Sequence, residues 1–133
     1  MAIEGIGAER VDYIRVPVTD MEAANRFYGE LLGLRRNPNS PSDDWVEYEV
    51  GNVTLAVMTP HTHEYGFTPL PPSTIALRVG DVAEAKAKLE AAGLEVGEMW
   101  DSGACRGAGV HDPAGNRILL HRRYGPYPDG TLP

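Results

Sequence analysis

Two stretches of the chain follow one plan, and this internal repeat limits the possible folds more than any other feature. The first runs Tyr13-Ile-Arg-Val-Pro-Val-Thr-Asp20 and continues through Met-Glu-Ala-Ala-Asn-Arg-Phe-Tyr-Gly-Glu-Leu-Leu-Gly33-Leu34. The second runs Thr74-Ile-Ala-Leu-Arg-Val-Gly-Asp81 and continues through Val-Ala-Glu-Ala-Lys-Ala-Lys-Leu-Glu-Ala-Ala-Gly93-Leu94. Asp20 follows Tyr13 by seven residues, as Asp81 follows Thr74; Gly33 and Gly93 come 13 and 12 residues after their aspartates. A repeat of this length is one supersecondary unit written twice. Each copy reads as a strand, an aspartate that caps a helix, the helix, a glycine that ends it, and further strands.

The local chemistry agrees with that plan. Asp20 and Asp81 can accept hydrogen bonds from the free N–H groups of a first helical turn. Ala24, Phe27, Tyr28 and Leu31 form one apolar stripe, and Val82, Ala85, Leu89 and Ala92 form another. Glu22 with Arg26, and Glu84 with Lys88, are i,i+4 pairs in the favourable order. Gly33 and Gly93 can take the left-handed conformation that terminates a helix. Strands are expected at Trp45–Val50 and Val53–Met58, joined at Gly51-Asn52, and at Glu95–Trp100, Cys105–His111 and Arg117–His121. Asp112-Pro-Ala-Gly-Asn116 is a turn signal before the last of them.

The fold class is therefore α+β: two tandem βαβββ modules forming a curved, largely antiparallel sheet, with helices on one face and a ligand cleft on the other. The chain reads as a single domain over residues 1–133. Module 1 covers about 10–60, a proline-rich linker about 61–72, module 2 about 73–123, and a Gly- and Pro-rich tail 124–133. Strand alternation directs Ile14, Val16 and Val18 to the helices and Tyr13, Arg15 and Pro17 away from them. Ala56 and Met58, with Trp45, Glu47 and Glu49, share that second face, as do Thr74, Ala76 and Arg78, and Arg117, Leu119 and His121. A face at once polar, aromatic and small suits a ligand cleft better than a packed core.

Composition excludes some partners. The 133 residues carry 12 Lys and Arg against 19 Asp and Glu, a formal net charge of −7. That balance opposes nucleic acid and anionic membrane as partners, and favours small neutral or cationic molecules. The single cysteine, Cys105, forbids an internal disulfide, and no apolar run is long enough to span a bilayer. The segment Met1-Ala-Ile-Glu-Gly-Ile-Gly has neither a basic nor an apolar region of a signal peptide, so a cytoplasmic location is expected.

Three motifs carry a family resemblance: Val-Asp-Tyr-Ile-Arg-Val-Pro-Val-Thr-Asp (11–20), Ala-Asn-Arg-Phe-Tyr-Gly-Glu-Leu-Leu-Gly-Leu (24–34) and Asp-Pro-Ala-Gly-Asn-Arg-Ile-Leu-Leu-His (112–121). Together they resemble the vicinal oxygen chelate superfamily, which groups glyoxalases, bleomycin-resistance proteins and extradiol dioxygenases, over roughly residues 10–123. The resemblance implies the fold above, a cleft and usually a homodimer. It also implies His, Gln or Glu ligands to one divalent ion on the first, fourth, fifth and eighth strands of metalloenzyme members. The matching residues here are Tyr13, Ala56, Thr74 and Leu119, none of the usual ligand type. The expectation is therefore no metal and no cofactor. The function implied is binding of a small aromatic or cationic molecule, as in drug-sequestering members. The alternative is a lyase, isomerase or dioxygenase that uses unusual ligands or metal-free acid–base catalysis.

The expected ligand-binding set is Tyr13, Arg15, Trp45, Glu47, Glu49, Ala56, Met58, Thr74, Leu119 and His121. Tyr13 and Trp45 would stack on a planar ligand or fill the cleft themselves. Arg15 and Arg78 would meet an anionic or carbonyl group, or pair with Glu47 and Glu49. His121 and Glu47 are the candidate general bases if a reaction occurs. His61 and His63, in His-Thr-His-Glu64, could bind a metal but read more simply as a polar loop. His111 reads as structural, Cys105 as an inert buried thiol, and Phe27 and Tyr28 as core.

Overall fold

The computed structural model describes residues 4–40, 42–60 and 66–133. Two four-stranded sheets repeat one topology. Module 1 contains β1 (Tyr13–Pro17), α1 (Met21–Asn25), β2 (Arg35–Arg36), β3 (Trp45–Glu49) and β4 (Thr54–Met58). Module 2 contains β5 (Ile75–Arg78), α2 (Val82–Ala91), β6 (Trp100–Asp101), β7 (Cys105–His111) and β8 (Arg117–Arg123). The strand orders are β1-β4-β3-β2 and β5-β8-β7-β6. Within each sheet the first and last strands of the module pair parallel, and the other pairings are antiparallel.

The helix caps follow the sequence. Asp20 accepts from the Ala23 amide at 3.1 Å and Asp81 from the Glu84 amide at 2.9 Å. Gly33 and Gly93 have φ of 71° and 94°, where a side chain would strain the backbone. Lys88 meets Glu84 at 3.0 Å, but Arg26 turns forward to Glu30 at 3.3 Å instead of back to Glu22.

Three expectations need correction. The first helix is not a long α-helix: after Asn25 it becomes a π-helix over Arg26–Leu31, with the Leu32 amide bonded to the Phe27 carbonyl at 2.9 Å. Phe27 and Tyr28 within it both reach the core, at 2 % and 0 % exposure, as the apolar stripe implies. Second, the strand expected over Glu95–Trp100 shrinks to a bridge of Val96 with Val110, extended by the Gly97 amide donating to the Gly109 carbonyl at 2.8 Å, and the pair Trp100–Asp101. Third, Arg35–Arg36 adds a short edge strand beside β3.

One hydrophobic core joins the helix-facing sides of both sheets, from Val16, Val46 and Leu55 through Phe27, Tyr28 and Leu89 to Leu77, Val110 and Ile118. A buried polar network spans the modules through it. Asp112 accepts from the Tyr28 hydroxyl at 2.6 Å, from the amides of Ala114 and Asn116, and from the Asn116 side-chain amide at 2.8 Å. Asn116 also donates to the Pro17 carbonyl of β1 at 2.7 Å and accepts from the Leu70 amide at 2.7 Å. The Asp-Pro-Ala-Gly-Asn turn thus ties the second module to the first strand and helix. The turn caps itself through Asp112 and Asn116, so His111, expected to serve that role, stands exposed. Burial, then the charge and the hydrogen bond of Asp112, push the Tyr28 hydroxyl far above the ordinary tyrosine value. No helix among the described residues is long and apolar enough to cross a membrane.

Candidate functional site

Each sheet turns one face to the shared core and leaves the other open. On the first sheet, register sets out three rows of the open face: Tyr13–Thr54–Glu49, Arg15–Ala56–Glu47 and Pro17–Met58–Trp45. Tyr13 and Trp45 start from opposite ends of this patch, yet their rings meet edge to face with centroids 5.5 Å apart. Ala56, in the middle row between them, is wholly buried. The Trp45 indole donates to Glu47 Oε2 at 3.1 Å, and the Thr54 hydroxyl donates to Glu49 Oε2 at 2.8 Å. Both carboxylates are thereby oriented, and both remain half-buried at the surface. Tyr13 is 53 % exposed, so the pair still offers an aromatic face to solvent. Next to it, a cavity of about 410 Å³ is lined by Arg15, Pro17, Met58, Pro60, Phe67 and Thr68.

The remaining expected ligand residues belong to the second module. Leu119 stands beside Ala76 and Gly109, and His121 beside Arg78 and Gly107. Thr74 precedes β5, and its hydroxyl donates to the Pro71 carbonyl at 2.7 Å within a turn. Within one chain, then, the ten residues form two groups, seven on the first sheet and Leu119 and His121 on the second with Thr74 just before it. Glu47 and His121, the candidate bases, are on different sheets, as are Arg78 and the carboxylates Glu47 and Glu49. Arg78 therefore does not pair with those carboxylates, as one reading of the sequence allowed.

Sequence reasoning missed the role of Gly107, Gly109 and Trp100. A β-carbon at Gly107 would collide with the Trp100 indole, and one at Gly109 with the Arg117 guanidinium. The two glycines are thus cradles that let an indole and a guanidinium lie down on the sheet. The Gly-x-Gly spacing puts both on one face of β7, and that alternation was the available signal.

The donor chemistry does not fit a divalent ion at the four superfamily positions. Tyr13 offers an exposed phenol, Thr74 a hydroxyl engaged in a turn, and Ala56 and Leu119 hydrocarbon only. Among the described residues no three His, Cys, Asp or Glu side chains are grouped to hold a metal. His61 and His63 lie outside the described residues. Cys105 is half-buried at the start of β7.

The family model described as Glyoxalase/Bleomycin resistance protein/Dioxygenase superfamily matches residues 10–120. Among solved structures, TnmS3, an antibiotic binding protein from Streptomyces sp. CB03234, is 26 % identical with a TM-score of 0.71, covering 90 % of this chain and 99 % of its own. A glyoxalase family protein from Bacillus anthracis is 26 % identical with a TM-score of 0.72, covering 92 % and 98 %. A lactoylglutathione lyase from Agrobacterium tumefaciens shares the fold at 20 % identity and a TM-score of 0.66, covering 86 % and 94 %. No curated protein matches the chain in sequence.

Proposed function

Since the chain belongs to the glyoxalase/bleomycin resistance protein/dioxygenase superfamily, we propose that it binds a small aromatic or cationic molecule without a metal ion and does not transform it. The observation that carries this reading is the residue set Tyr13, Ala56, Thr74 and Leu119, which lacks metal donors where metalloenzyme members have them. In their place the first sheet offers the Tyr13–Trp45 pair and two oriented carboxylates, Glu47 and Glu49. Aromatic faces and carboxylates attract planar cations. The likeness to an antibiotic binding protein supports binding over turnover. We propose further that the protein acts in the cytoplasm as a homodimer, in which a second copy covers an open face.

Titration calorimetry with the planar aromatic cation proflavine tests the reading. One saturable site per chain is expected, unaffected by excess EDTA. Glu47→Gln removes the charge nearest the rings and is expected to weaken binding about tenfold. Binding that requires an added divalent ion, or chemical conversion of the probe, would show the enzyme alternative to be correct.

A further inference from the structure

The helix-facing side of the second sheet ends in charge. Ala108, Val110, Ile118 and Leu120 of β7 and β8 are buried on that side. Strand alternation puts Arg106 and Arg122 on the same side, at the end of the sheet and opposite the face that carries Gly107 and His121. Register sets Arg106 directly against Arg122 in the antiparallel pair. Two like charges directly opposite destabilise a strand pair, and a counter-charge between them removes the penalty.

The chain supplies a counter-charge to only one of them. Arg106 Nε meets Asp101 Oδ2 at 3.1 Å, and its guanidinium lies over the Tyr124 ring, 4.8 Å from the centroid. The Tyr124 hydroxyl donates to Asp101 Oδ1 at 2.6 Å, and the Gly103 amide donates to the same oxygen at 2.8 Å. Asp101 and Tyr124 thus hold Arg106 in place. Arg122 is half-buried, and among the described residues it has no hydrogen-bond, ion-pair or ring partner. Both arginines line a cavity of about 220 Å³, together with Gly80, Asp81, Met99 and Tyr124. Asp81 turns its Oδ1 to the Glu84 amide at 2.9 Å, and among the described residues it makes no ion pair with either arginine.

A drug-sized molecule needs a cavity of about 300 Å³ or more, so this one suits a smaller group. A guanidinium presents parallel N–H donors that match the oxygens of phosphate or sulfate. We propose that this cavity is an anion site, separate from the ligand cleft, that takes a phosphate or sulfate group between Arg106 and Arg122. It lies on the opposite side of the sheet from the cleft, and it does not depend on what the cleft binds.

The test is calorimetry of the intact chain with inorganic phosphate, sulfate and acetate at constant ionic strength. One saturable phosphate site per chain is expected, with sulfate competing for it and acetate about tenfold weaker. Arg122→Gln is expected to weaken phosphate binding about tenfold. In chloride buffer alone the same variant is expected to melt no lower than wild type, because it removes one of two facing like charges. A lower melting temperature would show that Arg122 is already neutralised within the chain, and would overturn the proposal. So would phosphate binding no tighter than acetate, or phosphate affinity indifferent to Arg122→Gln. Glycerol 3-phosphate separates the two sources of the group. Tighter binding than inorganic phosphate assigns the site to a phosphate ester and weaker binding to the free ion, and both results support it.

Discussion

Replacing Asp112 by alanine is expected to lower the melting temperature by about 12 °C, the largest single effect in the described core. Its side chain accepts four hydrogen bonds, from the Tyr28 hydroxyl, the Ala114 and Asn116 amides and the Asn116 side chain. Asp112 is 4 % exposed, and Tyr28 and Asn116 are wholly buried. Water cannot readily take the place of the lost carboxylate, so several donors would remain buried without a partner. Each such group costs about 1–3 kcal/mol, and about 3 kcal/mol in total is a modest sum for the set. A change of 1 kcal/mol moves the midpoint of a domain this size by roughly 4 °C. Asp112→Asn keeps the shape and part of the acceptor capacity, and should lose less than half as much. Differential scanning calorimetry of the two variants checks both statements; a fall of under 3 °C for Asp112→Ala would show that the network does not hold the modules together.

Alkaline pH should destabilise the protein through Tyr28. Burial and the neighbouring Asp112 raise its folded-state pKa above the ordinary 10.0. A group with a raised folded pKa contributes stability that is complete below its unfolded value and is lost as pH climbs towards the folded value. Below pH 10 both states keep the proton and Tyr28 adds no pH dependence. Above pH 10 the unfolded chain ionises while the folded chain does not, so stability falls by about 1.4 kcal/mol per pH unit from this residue. Tyr28→Phe is less stable than wild type at pH 7 because it leaves Asp112 short of a donor. The same variant lacks the alkaline loss, so the two stability curves should converge between pH 10 and 11.5. Urea midpoints across that range decide it, and parallel curves would mean that Tyr28 ionises freely.

The legible parts of the fold were those set by local chemistry. Asp20 and Asp81 cap helices because a short carboxylate reaches the amide three residues on, whatever surrounds it. Gly33 and Gly93 end helices because they alone tolerate the required φ. Strand alternation sorted Val46 and Tyr48 from Trp45 and Glu47 correctly, since side chains must leave a strand on alternate faces. The π-helical turn was not legible. It arises where Phe27 and Tyr28 both enter the core and Gly29 lets the Tyr48 hydroxyl approach to 3.2 Å of where its β-carbon would stand. Those partners are far apart in sequence.

The candidate site divides along the same line. Its residue types, and the missing donors at Tyr13, Ala56, Thr74 and Leu119, were readable because a motif fixes which residue occupies each strand position. The repeat, the caps and the faces of the strands could be read from the chain alone, because they are properties of neighbours along it, as could the residue types at the four positions where the resemblance expects metal ligands. Packing and register, by contrast, bring Tyr13 and Trp45 together, lay Trp100 on Gly107 in line with Arg78, and make Asp112 and Asn116 bind the modules to one another. Each of these depends on strand register and on packing between residues tens of positions apart, and such contacts exist only once the core has closed.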